Sequence, residues 1–343
     1  MPALSVLELA RVSEGSDAGE TLANALDVAR HIENLGYRRI WVAEHHNMPG
    51  IASAATSIVI AHLAGGTSRI RVGAGGIMLP NHSPYIVAEQ FGTLERLFPG
   101  RIDLGLGRAP GTDQLTLRAL RRSPQDSEKF PQDILELQAF LALPGDGQKI
   151  VAVPAAGTNV PLWILGSSHF GAMLAGKLGL PYAFASHFAP DQMSSALKIY
   201  RDSFKPSEQL TAPYAMIGVN IIAADTDEEA QWLATTQQMA FVDIIRGERQ
   251  LTRPPTREIE RFWSPSEKAR VMQMLSCSIV GSVETVRAGI ENLVKATDAD
   301  ELMVVSDVYN HAARLRSLEL IAEAASAETI GRKNPSPITT IQI

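Results

Sequence analysis

The chain of 343 residues carries 31 Lys and Arg against 37 Asp and Glu, and its 45% hydrophobic content is that of a globular protein. The net charge of -6 argues against nucleic acid as a partner, and no stretch reaches the ~18 apolar residues of a membrane-spanning helix. A single cysteine, Cys277, excludes an internal disulfide, and the start MPALSVLELA lacks the basic residues and apolar run of a signal peptide, so a cytoplasmic location is expected.

Short apolar runs alternate with longer amphipathic segments. LSVLEL (4–9) reads as a strand. Residues 18–35 read as a helix with Leu22, Leu26, Ala29, Ile32 and Leu35 on one face, Asp17 as its cap and Gly36 as its stop. RRIWVAEH is the second strand and AATSIVIAHLAGGT the second helix. IRVGAGG and YIVAEQFGTLERLF form the third pair, RIDLGLG is the fourth strand, and 127–143 reads as helix. PLWILGS opens a fifth unit with a helix from about 168 to 178, and PYAFAS a sixth. YAMIGVNIIAA precedes a helix over about 226–246, and ELMVVSD precedes one over 310–325. Eight strand-then-helix units predict a single (β/α)8 TIM barrel over residues 1–330. The charged, proline-rich stretch GERQLTRPPTREIERFWSPS reads as an insertion near 247–275 and a candidate lid. Residues 331–343 read as a flexible tail.

The open doubly wound sheet is the rival fold. Its G-x-G-x-x-G after the first strand is absent, and the glycines of GLGRAPG follow the fourth strand at the wrong spacing. No Cys/His cluster has metal-ligand spacing, H-E-x-x-H is missing, and no metal is expected. No G-x-S-x-G elbow is present either.

Active sites of such barrels lie at the carboxyl ends of the strands. Those ends here are Glu44, His45 and His46 for the second strand and Gly75 and Gly76 for the third. Gly107 and Arg108 end the fourth, Gly166, Ser167 and Ser168 the fifth, and Ser186 and His187 the sixth. Side chains alternate along a strand, so His45 and His46 should face opposite ways and make a poor chelating pair. His45 offers a proton donor or acceptor near neutral pH, or it packs as a structural histidine. Ser167 and Ser168 precede a helix whose N-terminus favours a phosphate, with Arg108 as its permanent cation, although taken alone a plain N-cap accounts better for either serine. Gly75 and Gly76 allow a flat ligand to approach the backbone, or mark a bend in the sheet.

Taken together, GYRRIWVAEHHN, RVGAGGIMLPNHSP, AEQFGTLERLFPGRIDLGLGRAPGTD, PLWILGSSHFGAMLAGKLGLPYAFA and ADELMVVSDVYNHAARLRSLEL resemble, in order, the bacterial luciferase-like, flavin-dependent monooxygenases, in particular their single-chain oxidoreductase branch. The resemblance covers about residues 36 to 320. It implies a TIM barrel that binds reduced, diffusible FMN supplied by a separate NAD(P)H:flavin reductase. It also implies oxygenation of a small organic substrate by O2 through a C4a-peroxyflavin, and a homodimer. By position, His45 matches the catalytic histidine, with Glu44 beside it as the second catalytic candidate. Gly75 and Gly76 match a pair joined by a cis peptide that supports the flavin ring. Arg108, Gly166, Ser167 and Ser168 match the flavin-phosphate site. There are departures: Gly107 stands where luciferase has a reactive thiol, Ser167 replaces a glutamate, and Gly171 replaces a hydroxyl residue of the phosphate turn. A deazaflavin (F420) hydride-transfer enzyme and a non-catalytic flavin-binding protein are the alternatives. F420 would favour a basic channel that these strand ends lack, and His45 together with the candidate lid favours catalysis. Leu9, Ala10, Arg11, Met78 and His187 are expected walls of the substrate pocket.

Overall fold

Apolar runs become strands and the amphipathic stretches after them become helices in the computed structural model, which describes residues 1–109 and 112–326. The first half comprises β1 (Ala3–Glu8), α1 (Ala18–Asn34), β2 (Arg39–Val42), α2 (Thr56–Gly65), β3 (Arg71–Met78), α3 (Pro84–Leu97), β4 (Ile102–Gly107), α4 (Gln114–Ala119) and α5 (Phe130–Leu141). The second comprises β5 (Leu162–Gly166), α6 (His169–Leu178), β6 (Tyr182–Phe184), α7 (Met193–Ser203), β7 (Ala215–Ala223), α8 (Asp227–Arg246), α9 (Pro265–Met274), β8 (Ile279–Gly281), α10 (Val283–Thr297), β9 (Glu301–Val305) and α11 (His311–Ser326).

All strand pairings are parallel. β1 to β6 pair in sequence, β6 pairs with β7, β7 with β9, and β9 returns to β1. Eight strands thus close a TIM barrel, and they are the eight read from the sequence. Helix α1 begins where Asp17 accepts a hydrogen bond from the Glu20 N–H at 2.9 Å, and the chain leaves it through Gly36 at φ 82°. The insertion holds more structure than the sequence suggested. After α9, the short β8 adds to the outer end of β7 (Ile221 to Ala223 against Ile279 to Gly281) and α10 follows. Three residues are too few to show a period of two, so β8 left no pattern to read. The tail expected over 331–343 lies outside the described residues. Among the described residues, no helix is long and apolar enough to cross a membrane.

The larger core lies between the strands and the helices, where residues such as Ile32, Ile60, Phe91 and Ile164 are fully buried. Within the barrel, Leu7, Trp41, Trp163, Met216 and Met303 pack together. The amino end of the barrel is closed by ions rather than hydrocarbon. Arg39, fully buried, donates to Glu301 at 2.7 and 3.1 Å and to Asp103 at 2.7 Å. Arg71 and the Trp41 indole N–H also reach Asp103, and the Tyr214 hydroxyl and Ser5 reach Glu301. Burial pushes the Asp103 carboxyl up, but Arg39 and Arg71 outweigh it and hold it at about 2.

That balance has a measurable consequence. The folded value lies below the ~3.9 of a free Asp, so Asp103 stabilises the fold fully above about pH 4 and loses this contribution as pH falls toward 2. Asp103→Asn is expected to cost about 3–5 kcal/mol in urea denaturation at pH 7, because it leaves Arg39 and Arg71 short of a counter-charge. It should also flatten the acid limb of the stability curve. A variant as stable as the parent would mean that Glu301 alone neutralises the cluster.

Candidate active site

The carboxyl ends of the strands surround a cavity of about 700 Å3. Such a volume lies within the ordinary range for small-molecule and cofactor sites. Of the residues singled out in the sequence, His45, Gly75, Gly76, Arg108, Gly166, Ser167 and Ser168 all line it. Leu9, Arg11, Met78 and His187 line it too, as expected of the pocket walls, whereas Ala10 is not among the lining residues.

One side of the cavity is built by β4, β5 and the start of α6. Ser168 occupies the N-cap position of α6, yet its side chain makes no capping hydrogen bond. The first-turn N–H groups therefore keep their capacity for an anion. Arg108 follows the adjoining strand, and its guanidinium stands over the Phe170 ring at 4.2 Å, beside that helix start. Among the described residues, Arg108 forms no ion pair.

Gly75 and Gly76 do not end β3 as expected. The strand runs on to Met78, with a register shift against β4 between Ala74 and Ile77. The peptide joining the two glycines is cis. No side chain fits at either glycine. A Cβ at Gly75 would stand 2.8 Å from Leu7 Cδ1 and 2.9 Å from Trp41 Cβ, and one at Gly76 would stand 2.7 Å from the Gly105 carbonyl oxygen. The pair is thus both a bend in the sheet and a bare stretch of backbone in the cavity wall.

The opposite wall is polar. Half-buried His45 shares it with His187, Arg11 and Asp307, and Arg11 pairs with Asp307 at 2.7 Å. Room for His187 comes from Gly218, where a Cβ would lie 2.3 Å from the imidazole Nδ1. Burial pushes the His187 imidazole down to about 4; Asp307 opposes this, while His45 and Arg11 add to it. His187 is therefore neutral at pH 7. Asp307 was not singled out from the sequence, although it follows β9, and extending the strand-end rule to the eighth strand would have found it.

Residues 248–253 of the insertion line the cavity as well. Thr252 donates its N–H to the Val12 carbonyl at 2.9 Å and accepts from the Glu14 N–H at 2.8 Å. Arg249 donates to the Asn47 carbonyl at 2.7 Å and pairs with Asp113. Gly50 lets this segment lie close, since a Cβ there would be 2.4 Å from the Gln250 carbonyl oxygen.

Glu44 is placed elsewhere. It is fully buried but is not among the cavity-lining residues. Its carboxylate accepts from the Met78 N–H at 3.0 Å and meets His46 Nε2 at 2.7 Å and His82 Nε2 at 2.8 Å. Burial raises the carboxyl, but the hydrogen bonds from the two histidines prevail and hold it at about 2. The expectation that Glu44 acts beside His45 on the ligand thus meets a carboxylate turned to other partners.

Comparison with known proteins agrees with this architecture. The profile described as Luciferase-like monooxygenase matches residues 3–300. An Escherichia coli (strain K12) protein named Luciferase-like monooxygenase is 52% identical over 319 residues, covering 93% of this chain and 95% of its own. YvbT of Bacillus subtilis (strain 168) is 55% identical over 321 residues, covering 93% and 96%. The crystal structure of apo-MsnO8 superposes with a TM-score of 0.86 at 35% identity, covering 94% of this chain and 98% of that one. The barrel, the cavity at its carboxyl end and these likenesses agree: the chain belongs to the luciferase-like monooxygenase family and is an oxidoreductase.

Proposed function

We propose that the protein is an FMN-dependent monooxygenase that takes reduced, diffusible FMN from a separate NAD(P)H:flavin reductase and uses O2 to oxidise a small organic substrate. The observation that carries this reading is the uncapped start of α6 with Arg108 beside it, in one cavity with the bare Gly75–Gly76 backbone. The residues fit the cofactor. Arg108, Ser167, Ser168 and the first N–H groups of α6 would hold its phosphate. Gly75 and Gly76 would face the flat ring system, where a side chain would stand in the way.

Reduced FMN supplies the electrons that make O2 reactive toward the substrate. His45 would hold or deliver a proton at the reacting edge through an imidazole nitrogen. Neutral His187 offers a hydrogen bond but no charge. Leu9, Met78, Met216 and Met303 line the rest of the cavity with hydrocarbon and thioether, which excludes water and suits a substrate of largely apolar surface.

A fluorescence titration with FMN, FAD and F420, each oxidised and anaerobically reduced, tests the assignment. Tightest binding of reduced FMN supports it. Preference for F420 would move the protein to hydride transfer, and binding of none would withdraw the cofactor.

One departure from the family pattern gives a prediction of its own. A Cβ at Gly171 would meet Tyr182 Cε2 at 3.5 Å and the Leu165 carbonyl oxygen at 3.8 Å, both ordinary contacts. Gly171→Ser is therefore expected to fold and to add a hydroxyl in the first turn of α6. A hydrogen bond to a charged phosphate is worth about 1.5 kcal/mol, so FMN should bind about tenfold tighter. Unchanged affinity in a well-folded variant would place the phosphate away from this turn.

A further inference from the structure

Glu44 gathers a second cluster behind the cavity wall. The alternation that turns His45 toward the cavity puts Glu44 and His46 together on the other side, and His82 joins them from the turn after β3. His46 Nε2 and His82 Nε2 converge on the same Glu44 oxygen, Oε1, at 2.7 and 2.8 Å, while Oε2 takes the Met78 N–H. One ligand atom from each of the three side chains lies within 4.8 Å of the others. The Glu44 side chain is 1% exposed, whereas His46 and His82 are 16% and 29% exposed, so solvent reaches the cluster from the imidazole side.

The partners of the Glu44 carboxylate in this group are imidazoles and a backbone N–H. Among the described residues, no lysine or arginine forms an ion pair with Glu44. A buried carboxylate is costly unless a positive group accompanies it. Here the imidazoles of His46 and His82 are its side-chain partners. Two imidazole nitrogens and one carboxylate are also a donor set that suits Zn2+ and related divalent ions.

We propose that Glu44, His46 and His82 form a binding site for a divalent transition-metal ion of the Zn2+ type, with its remaining position open to solvent. On binding, the two Nε2–H···Oε1 hydrogen bonds give way to metal–ligand bonds. Each imidazole then keeps its proton on Nδ1, offers the Nε2 lone pair to the ion, and passes the proton held at Nε2 to solvent. Metal–ligand distances of about 2.0–2.2 Å require the three atoms to spread by roughly half an ångström from their hydrogen-bonded spacing. The ion would tie the segment after β2 to the end of β3. It would thus brace His45, which lies between two ligands, and the strand that carries Gly75 and Gly76.

The sequence offered no sign of this site, because His82 stands 38 residues from Glu44 and outside any short metal motif.

The test uses the full chain without flavin, so its outcome is separate from the FMN reading. Protein stripped with EDTA is titrated with Co2+, followed by its visible absorption, and then with competing Zn2+. His46→Gln and His82→Gln keep an amide donor for Glu44 but remove the imidazole ligand, so the carboxylate is not left bare in either variant. We expect one equivalent of Co2+ per wild-type chain, displaced by Zn2+, a Zn2+-dependent rise in Tm, and loss of both in each variant. No saturable Co2+ binding by the wild type overturns the proposal, as does binding that survives both substitutions.

Discussion

His45→Ala is expected to lower substrate oxidation by about 10^2- to 10^4-fold, the usual worth of a positioned acid or base, while reduced FMN still binds. The separation of the two effects follows from the layout of the cavity. His45 stands on the wall shared with His187, Arg11 and Asp307, whereas the residues suited to the phosphate lie at the ends of β4 and β5. His187 cannot replace it, since burial keeps that ring neutral until the pH approaches 4. Arg11 is engaged with Asp307 at 2.7 Å. Single-turnover oxidation of anaerobically reduced FMN, with O2 added in the presence and absence of substrate, separates product formation from flavin binding. His45→Gln provides the companion variant: it keeps a hydrogen-bond donor and loses the titratable proton. If both variants turn over like the parent, His45 is a packing residue. If only the glutamine variant recovers, its part is to hold a hydrogen bond rather than to move a proton.

What could be read from the sequence divides along a physical line. Ile40 to Val42 or Ile217 to Ile222 form a strand wherever they sit, because the run of apolar residues is itself the signal, and eight such runs define the barrel. Once the barrel is known, the strand-end rule delivers His45, Arg108, Ser167 and Ser168 without any knowledge of contacts. Properties that depend on closure are invisible in the sequence. Arg39 reads as a charged strand start beside Arg38, yet the barrel carries Asp103 and Glu301 onto it across 64 and 262 residues and buries it completely. Glu44 reads as a second catalytic candidate beside His45, but the direction of its carboxylate is set by His82 and by the Met78 N–H, both reached only through the next strand. The glycine pair was legible as bare backbone. The reason no side chain fits there lies in Leu7, Trp41 and Gly105, which close in from the neighbouring strands.

Arg108→Ala is expected to weaken FMN binding about 100-fold and to leave riboflavin binding unchanged. Removing a charged hydrogen-bond partner of a phosphate costs up to about 3 kcal/mol, and each 1.4 kcal/mol is a factor of ten. Riboflavin carries the same ring without the phosphate, so it reports on the rest of the cavity alone. The side chain is suited to this task because, among the described residues, no acidic group pairs with it. Arg108 has no carboxylate partner among the described residues, and the Phe170 ring 4.2 Å away holds the guanidinium beside the helix start without neutralising it. Loss of that contact costs the fold little, since exposed cation–π pairs are worth about 0.5–1 kcal/mol. A large fall in affinity therefore cannot be charged to unfolding, and the Tm of the variant verifies this. Arg108→Lys should recover part of the loss, because an ammonium keeps the charge but not the paired donors. Ionic strength gives an independent check: added salt should weaken FMN binding by the parent more than by the alanine variant. If Arg108→Ala binds FMN and riboflavin as the parent does, the phosphate lies elsewhere. The uncapped α6 start would then lose its cation, and with it the strongest support for FMN as the cofactor of this barrel.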